Sequence, residues 1–389
     1  MQLRADILTP DGILENAKLE VDRSGQISAV IPSGIGDMDF DFSGALIVPG
    51  FIDLHVHGGG GSDFMEGTVE AVRTVARTHV KYGTTSLLAT TLTADRESID
   101  KAISAIVEVI ENPGDDEATI RGIHLEGPYI CSKRRGAQPQ SPIRPPDISE
   151  LDHWQELSGG RIRQITLAPE IPGALEFIEH AAAIGVNVSM GHTDASDTQI
   201  NSAVAAGASQ GTHLFNAMSP MSHRSPGAVG GMLTNDSVFC ELICDGFHVD
   251  PLVLKVAFRS KGPDKILLIT DAMSGAAMPD GNYNLGGRTV IVNNGSAKMD
   301  DGTLAGSVLT MNESYWNIIK FTGASSVEAA RMSSLNASTR LGLTDQIGTI
   351  GPGRQADLAI LDQTTRTTLA VMISGRLVYS AWPIRQQKS

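Results

Sequence analysis

Histidine and carboxylate residues recur along this sequence at places that suit a metal ion. His55 and His57 are two residues apart at the end of an apolar run, so on a β-strand their imidazoles point to the same side. Residues of the same two types end other apolar runs: Glu126, His192, His213 and Asp271. Histidine and carboxylate ligands without a thiolate suit Zn²⁺ or a similar divalent transition metal. We therefore predict a metal site built from these residues.

A metal ion with an open coordination position lowers the pKa of its water and makes that water nucleophilic near neutral pH. Because a carboxylate can bridge two ions, Glu126 could hold one ion with the first histidine pair and another with the two later histidines. We expect Zn²⁺, with Fe²⁺ or another transition metal as alternatives, and either one or two ions per subunit. Asp271 is the expected catalytic acid and base, moving a proton from the water to a leaving nitrogen.

The elements that carry these residues alternate between two periodicities. Apolar runs occupy 46–54, 85–89, 120–125, 162–167, 186–190, 208–214, 238–244 and 266–269. Segments with helical periodicity between them include 68–82, 99–111, 174–184, 197–206 and 251–260. Buried parallel strands joined by helices read as continuous apolar runs, and barrel enzymes carry their active sites at the carboxyl ends of the strands. We therefore predict an α/β fold with a (β/α)8 TIM-like barrel, rather than a doubly wound open sheet.

The two ends of the chain read differently, as short alternating strands separated by turn sequences. Because two-stranded ribbons are marginally stable alone, we expect the two ends to pair into one small β-sandwich domain. The predicted division is 1–48 and 346–389 for the two parts of the sandwich and 49–345 for the barrel. The length of 389 residues agrees, because a barrel alone needs about 250 residues.

Composition restricts the partners. With 44 acidic and 30 basic residues the net charge is −14, which disfavours binding to nucleic acid or to an anionic membrane. We find no apolar run of the roughly 18 residues that a membrane span needs and no basic segment followed by an apolar one at the start. We therefore expect the protein to be cytoplasmic and its partner to be a small molecule.

Basic residues near the predicted site suggest that this small molecule is anionic. The triplet Lys133-Arg134-Arg135 follows Glu126, although a charge run is usually a solvated surface. Arg224 is the better candidate because a guanidinium group can bind phosphate through two hydrogen bonds. His124 precedes Glu126 by two residues. Its position is equally consistent with a supporting role beside the metal ligands and with ordinary packing.

Several strings of residues together carry a family resemblance. They are PGFIDLHVHG at 49–58, HLEGP at 124–128, GHT at 191–193, THLFNAM at 212–218, DGFH at 245–248, TDA at 270–272 and LAGS at 304–307. They resemble the amidohydrolase superfamily and, within it, the N-acetylglucosamine-6-phosphate deacetylase family. The match continues to GRQADL at 353–358 and so covers nearly the whole chain. Glutamate at the central metal position is typical of this family, whereas relatives such as dihydroorotases use a carboxylated lysine.

The resemblance implies hydrolysis of N-acetylglucosamine 6-phosphate to glucosamine 6-phosphate and acetate, in amino-sugar catabolism or recycling. It implies that Glu126, His192 and His213 bind metal and that Asp271 is the catalytic acid and base. The residues that would line the sugar-phosphate site are Ala137, Gln138, Asn216, Ala217, Arg224, His248, Leu304, Ala305 and Gly306. Arg224 and His248 would hold the phosphate. The family's dimeric habit implies a homodimer in which the partner subunit can supply one of these two residues.

Two positions bear on how the family pattern applies. Some members replace the first histidine pair and keep a single metal, whereas this chain retains His55 and His57, so two metals are possible. Gln138 stands where some members have a histidine that polarises the amide carbonyl. Either Gln138 donates a hydrogen bond in its place or a metal ion polarises the carbonyl.

Other functions compete with this one. The same chemistry on N-acetylgalactosamine 6-phosphate differs by the configuration of one hydroxyl. A deaminase or cyclic amidase of the superfamily is disfavoured by Glu126 and by the Asn216-Ala217 string. A non-catalytic barrel scaffold usually lacks metal ligands, and here every expected ligand is present.

Overall fold

The centre of the molecule is a closed parallel sheet. The computed structural model describes residues 1–36 and 38–382. Eight strands pair in chain order, and their bounds are Phe51–Val56, Thr84–Thr91, Thr119–Glu126, Ile162–Leu167, Asn187–Met190, Gln210–Gly211, Phe239–Ile243 and Ile266–Ile269. The first and last strands meet through hydrogen bonds from Asp271 N to His55 O at 2.8 Å and from His57 N to Ala272 O at 2.9 Å. The predicted (β/α)8 barrel is confirmed.

Helices connect successive strands and cover the outside of the barrel. Their bounds are Val69–Val80, Arg96–Glu111, Ile148–Leu157, Ala174–Ala183, Asp197–Ala205, Gly227–Thr234, Pro251–Lys261, Met311–Thr322, Ser326–Ala330 and Asn336–Leu341, with a π-helical turn at Arg331–Leu335. In the second helix Asp95 caps the first turn by accepting from Ser98 N, and Ile99 and Ile103 are buried at helical spacing. All five helices predicted from periodicity form, with ends within three residues of those expected.

The main apolar core lies between the barrel and these helices. Ile165 and Val188 from two neighbouring strands belong to the same buried cluster as Trp154 and Phe177 from two helices. Helix faces with apolar residues every three or four positions remove this surface from water, which supplies the main driving force for folding. None of the helices in the described part of the chain combines the length and apolar character that a membrane span requires.

The two ends of the chain form a single seven-stranded sheet beside the barrel. Its strands are Gln2–Thr9, Gly12–Val21, Ile27–Ile31, Phe40–Pro49, Leu358–Asp362, Thr368–Ile373 and Arg376–Ser380. The fourth and fifth of these strands, one from each end of the chain, pair antiparallel and join the two parts. The predicted union of the termini in one β-rich unit is confirmed. The domain bounds at 48/49 and 345/346 stay predictions, and residues 383–389 of the last segment lie outside the described residues.

The apolar run at 46–54 is two strands rather than the single barrel strand predicted from it. Phe40–Pro49 belongs to the terminal sheet and Phe51–Val56 to the barrel, with Gly50 between them. A Cβ atom at Gly50 would lie 2.3 Å from side-chain atoms of Thr85, so a larger residue does not fit there. Hydrophobicity alone could not show the break, because the chain is buried on both sides of it.

Small elements at the carboxyl end of the barrel were not predicted. After the eighth strand the chain forms a three-stranded antiparallel sheet from Gly281–Leu285, Arg288–Asn293 and Ser296–Lys298. Gly58–Gly59 pairs with Ser62–Asp63 after the first strand. Single 3-10 turns cover Phe64–Glu66 and Ser132–Arg134 at this end, and a third, at Pro263–Lys265, precedes the eighth strand at the amino end of the barrel. The polar composition of these short segments gives no long periodic pattern from which to recognise them.

A buried carboxylate holds the first and last barrel strands together. Asp53 accepts a hydrogen bond from the Thr270 hydroxyl at 2.5 Å and weaker ones from the backbone N–H groups of Thr270 and His55 at 3.3 and 3.2 Å. Burial raises the pKa of Asp53 to about 7, although these hydrogen bonds oppose the rise. The hydroxyl of Thr270 is therefore the strongest partner of a fully buried acid at the barrel closure.

We expect Thr270→Val to lower the free energy of unfolding by about 1–3 kcal/mol, because it leaves a buried acceptor without its best donor. Urea denaturation followed by circular dichroism measures the change. Thr91→Val is the matched control, since Thr91 is also buried and its hydroxyl has no hydrogen-bond partner among the described residues. Equal losses in the two variants would contradict the role given to the Thr270–Asp53 hydrogen bond.

Candidate metal centre

The six predicted residues meet at the carboxyl end of the barrel. His55 lies in the first strand, His57 directly follows it, and Glu126 ends the third strand. The other three each follow a strand by two residues, and all six are buried. Potential ligand atoms lie within 4.8 Å of one another in each of two groups, which are His55, His57 and Asp271, and Glu126, His192 and His213. Residues up to 216 positions apart in the sequence therefore form one cluster.

Backbone strain is concentrated in this cluster. His192, His213 and Asp271 have φ angles of 46°, 32° and 49°, in the left-handed region that residues with a Cβ atom rarely adopt. Phe215 and Ala217 in the loop after the sixth strand share this conformation. Such conformations cost free energy and persist where the surrounding structure imposes them, which is common at active sites.

Hydrogen bonds fix the tautomers of two of the histidines. Nδ1 of His192 lies 2.9 Å from the carbonyl oxygen of Arg134, and Nδ1 of His55 lies 3.1 Å from a carboxylate oxygen of Glu241. Because these oxygens can only accept, each Nδ1 carries the hydrogen. The Nε2 atom of each neutral ring is then unprotonated and presents a lone pair to the cluster.

These lone pairs face a carboxylate oxygen and further ring nitrogens at close range. Nε2 of His192 lies 3.2 Å from both Glu126 Oε1 and His213 Nε2. Nε2 of His55 lies 3.2 Å from His57 Nε2 and 3.4 Å from Glu126 Oε1. Acceptors at these distances repel one another in a buried pocket unless a cation lies between them. The donor set therefore fits a divalent metal, and the neutral-imidazole tautomers are those a metal would require.

The pKa values of His55, His57 and Asp271 also indicate that positive charge is stabilised in this pocket. Burial lowers the pKa of His55, but the carboxylates of Glu126 and Asp271 outweigh it and raise the pKa to about 9. They also raise the pKa of His57 well above its usual value, against the effect of burial. Burial raises the pKa of Asp271, yet His55 and His57 bring it down to about 2. Protons thus supply positive charge in the metal-free pocket.

Gln138 is buried beside the cluster and is held at both ends of its amide. The backbone N–H of Thr93 donates to Oε1 at 2.9 Å, so the amide nitrogen is turned toward Glu126. There Nε2 donates a short hydrogen bond to Glu126 Oε2. The structure therefore brings the predicted donor into the cluster, where one of its hydrogens is bound to a ligand carboxylate.

The segment at 304–306 borders Asp271. Ser307 N donates to the Asp271 carbonyl at 2.7 Å, which places the preceding residues Leu304, Ala305 and Gly306 next to this part of the cluster. Ala137 packs against the apolar group that contains Ala305. This group includes residues of the unpredicted three-stranded sheet, so that sheet shapes one side of the predicted substrate site.

The loop after the sixth strand borders the histidines. Asn216 Nδ2 donates to the His213 carbonyl at 3.2 Å, and the Ala217 carbonyl accepts from Thr193 N at 3.0 Å, directly after His192. A Cβ atom added at Gly136 would contact both His192 and Ala217. These predicted substrate residues are therefore neighbours of the metal ligands.

The two predicted phosphate residues lie farther out. Arg224 is in an exposed loop and makes no ion pair with another described residue. His248 follows the seventh strand, and its Nδ1 donates to Asp245 Oδ2 at 2.6 Å, which leaves Nε2 for another partner. No hydrogen bond within the described chain joins either side chain to the metal ligands, and their phosphate role stays a prediction.

Two members of the basic triplet have structural partners. Lys133 Nζ and Arg134 Nε lie 2.5 and 2.7 Å from the two carboxylate oxygens of Asp194, two residues after His192. Since the Arg134 carbonyl also holds His192 Nδ1, these contacts orient the His192 loop. Arg135 donates to a carbonyl three residues further on.

Glu241 was missed by the sequence reasoning. It is fully buried in the seventh strand and contacts His55. The signal was a single acidic residue inside the otherwise apolar run at 238–244, since an unpaired carboxylate is rarely buried. His124 proves to be buried as well: its Nε2 lies 2.8 Å from Thr166 Oγ1, and burial lowers its pKa well below the usual value.

Comparisons with known proteins agree with this arrangement. Residues 46–378 match the Amidohydrolase family. The curated N-acetylglucosamine-6-phosphate deacetylase of Lysinibacillus sphaericus is 43% identical over 321 residues, which is 82% of this chain and 82% of that protein. The enzyme of the same name from Bacillus subtilis (strain 168) is 42% identical over 329 residues, or 84% of this chain and 83% of the relative.

A solved structure resembles the whole chain. It is that of a mutant N-acetyl-D-glucosamine-6-phosphate deacetylase from Mycobacterium smegmatis in complex with N-acetyl-D-glucosamine-6-phosphate. The TM-score is 0.92 at 34% sequence identity, and the alignment covers 98% of this chain and 99% of the other. The family match at 46–378 spans the barrel and every residue of the cluster. This chain belongs to the amidohydrolase family.

Proposed function

We propose that this chain is a metal-dependent hydrolase that deacetylates N-acetylglucosamine 6-phosphate to glucosamine 6-phosphate and acetate, in amino-sugar catabolism or recycling. The observation that carries the proposal is the convergence of two buried ligand groups around Glu126 and Asp271, in a chain closely related to enzymes of that name. The gluco substrate is preferred over the galacto epimer because the relatives and the solved complex described above carry the gluco name. An intact cluster also argues against a non-catalytic scaffold.

The metal is proposed to be Zn²⁺, with Fe²⁺ or another transition metal as alternatives. The group of Glu126, His192 and His213 would hold one ion, and the group of His55, His57 and Asp271 gives room for a second. A bound divalent metal supplies a water of lowered pKa and polarises the acetyl carbonyl. Two histidine nitrogens and one carboxylate per group leave coordination positions free for such ligands.

Asp271 is the proposed proton carrier. Its low pKa keeps the carboxylate ionised near neutral pH, so it can accept the proton of the attacking water. When the amide C–N bond breaks, Asp271 returns this proton to the leaving nitrogen, and glucosamine 6-phosphate departs as the amine. Gln138 has two amide hydrogens, and because one is bound to Glu126 the other is available to the acetyl oxygen.

Arg224 and His248 are proposed to bind the phosphate group. Among the described residues, Arg224 has no ion-pair partner and His248 Nε2 has no hydrogen-bond partner, which suits an anionic ligand. Met221 precedes Arg224 by three residues and Phe247 directly precedes His248, and their side chains are 53% and 51% exposed. Exposed apolar side chains close in sequence to both residues support a homodimer whose interface adjoins the phosphate site. A cytoplasmic location is proposed from the sequence alone.

Substrate turnover tests this function directly. We expect acetate release from N-acetylglucosamine 6-phosphate, much slower release from N-acetylgalactosamine 6-phosphate, and slower release still from both sugars without phosphate. Acetate is measured with a coupled assay on the metal-loaded protein. No release from any of the four compounds would contradict the deacetylase function. Equal rates with and without phosphate would remove the role of Arg224 and His248, and a faster galacto reaction would favour the epimer.

Replacing Gln138 tests its place in the reaction. We expect Gln138→Leu to lower kcat by about 10²-fold with little change in KM, because a donor to the developing negative charge acts mainly in the transition state. Metal content is measured in the same samples, since Gln138 also contacts Glu126. Gln140→Leu, an exposed position in the same loop, is the control. Unchanged kcat with full metal content would remove Gln138 from the mechanism.

Metal binding is expected to release protons. At pH 7 the pKa of His55, about 9, keeps this ring protonated in the metal-free protein, whereas a metal needs the bare nitrogen. Adding Zn²⁺ to the metal-free protein in weakly buffered indicator solution should therefore acidify it, and the apparent affinity should rise between pH 6 and 9. Ca²⁺, which prefers oxygen ligands, is the control. Zinc binding without proton release would contradict the charge balance described for the pocket.

A further inference from the structure

Glu241 accepts four hydrogen bonds in the interior of the barrel. One carboxylate oxygen, Oε1, accepts from Gln164 Nε2 at 2.9 Å and from Gln210 Nε2 at 2.6 Å. The other, Oε2, accepts from His55 Nδ1 and from the backbone N–H of His213, each at 3.1 Å. The side chain is 0% exposed. Four donors on a fully buried carboxylate are the arrangement that makes a charge at this depth tolerable.

The two oxygens have different surroundings. Oε2 faces the metal cluster, where it contacts one residue from each of the two ligand groups. Oε1 faces the barrel interior, where Gln210 also donates to Gln164 Oε1 at 2.9 Å and accepts from Arg340 Nε at 3.1 Å. Arg340 further contacts Asn187 and Ser209 at the amino ends of the fifth and sixth strands. A continuous hydrogen-bonded column therefore runs along the barrel from its amino end to the cluster.

We propose that Glu241 is a positioning residue for the metal centre, which fixes the Nε2-binding tautomer of His55 and anchors His213 to the same carboxylate oxygen. An imidazole binds a metal through a nitrogen lone pair, and the hydrogen bond at the other nitrogen decides which lone pair is available. With Nδ1–H bound to Glu241, only Nε2 of His55 can face the other ligands. The proposal rests on the metal centre assigned above.

A carboxylate is suited to this position and an amide is not. Every one of the four groups around Glu241 is a donor, so the side chain must accept at both ends. A glutamine there would turn its NH2 group either toward His55 and the His213 backbone or toward the two glutamines. In the first orientation His55 Nδ1–H loses its acceptor, and with it the ring loses its tautomer or its orientation. In the second orientation the NH2 group faces the NH2 groups of Gln164 and Gln210, which displaces the side chain that holds His55. The ion held by His55, His57 and Asp271 should be affected most, since His55 is the side chain that Glu241 holds directly.

Metal titration of Glu241→Gln tests the proposal. The metal-free variant is titrated with Zn²⁺ in competition with a chromophoric chelator, which gives the number of ions and the affinity of each without an activity assay. We expect one of the two ions to bind about 10–100-fold more weakly than in the unmodified protein, as is usual when a partner of a histidine ligand is removed. Glu241→Asp, which keeps the charge, should recover part of the affinity.

Two further variants separate positioning from loss of folding. Glu117→Gln removes a buried carboxylate that contacts Arg73, away from the cluster, and should leave both affinities unchanged. Gln164→Met removes one donor to Oε1 at nearly constant volume and should weaken the same ion by a smaller factor, which keeps the test available if Glu241→Gln does not fold. Wild-type affinities in folded Glu241→Gln, or in Gln164→Met where the former does not fold, would overturn the proposal. Absence of zinc binding by the unmodified protein would instead remove the proposed metal centre, and with it any role for Glu241.

Discussion

Mutual repulsion among acceptor atoms is the constraint on which the rest of this site depends. Ring nitrogens of His55 and His192 and the carboxylates of Glu126 and Asp271 point at one another across 3.2–3.5 Å in a buried pocket. Such an arrangement does not form because its members attract one another. It forms because a rigid barrel brings them together and because positive charge, as protons or metal ions, lies between them.

The fold supplies the rigidity. Five strand ends deliver the six side chains, and closure of the barrel through Asp271, His55 and Asp53 brings the two ends of the sheet into the same cluster. His192, His213 and Asp271 adopt left-handed φ angles, so the fold places these ligands at the cost of an unfavourable backbone conformation. Burial of the apolar core outside the barrel supplies the folding free energy that offsets this strain.

The sequence predicted the barrel and the six cluster residues because both have signals of short range. Strand ends follow from apolar runs, and a polar residue directly after such a run is visible without knowing the fold. What the sequence could not supply depends on contacts across the barrel. The Arg134 carbonyl that fixes His192, the Thr93 N–H that orients Gln138, and the three-stranded sheet beside Ala137 belong to segments without a periodic pattern. The break at Gly50 was hidden for a related reason, since apolar residues lie on both sides of it.

Acidic residues inside apolar strands are a further sequence signal of a polar site, and hydrophobic periodicity alone does not reveal it. Asp53 and Glu241 each interrupt an apolar strand, and each is fully buried and accepts a side-chain hydrogen bond from elsewhere in the barrel, from Thr270 and Gln164 respectively. A strand can accept such a residue only where the rest of the barrel neutralises or hydrogen-bonds it, so its presence marks the interior side of a polar site. In this chain the two acids have different structural roles. Asp53 joins the first and last strands at the closure. Glu241 joins the ring of His55 to the backbone of His213, so that hydrogen bonds to a buried carboxylate, and not packing alone, hold these two ligands.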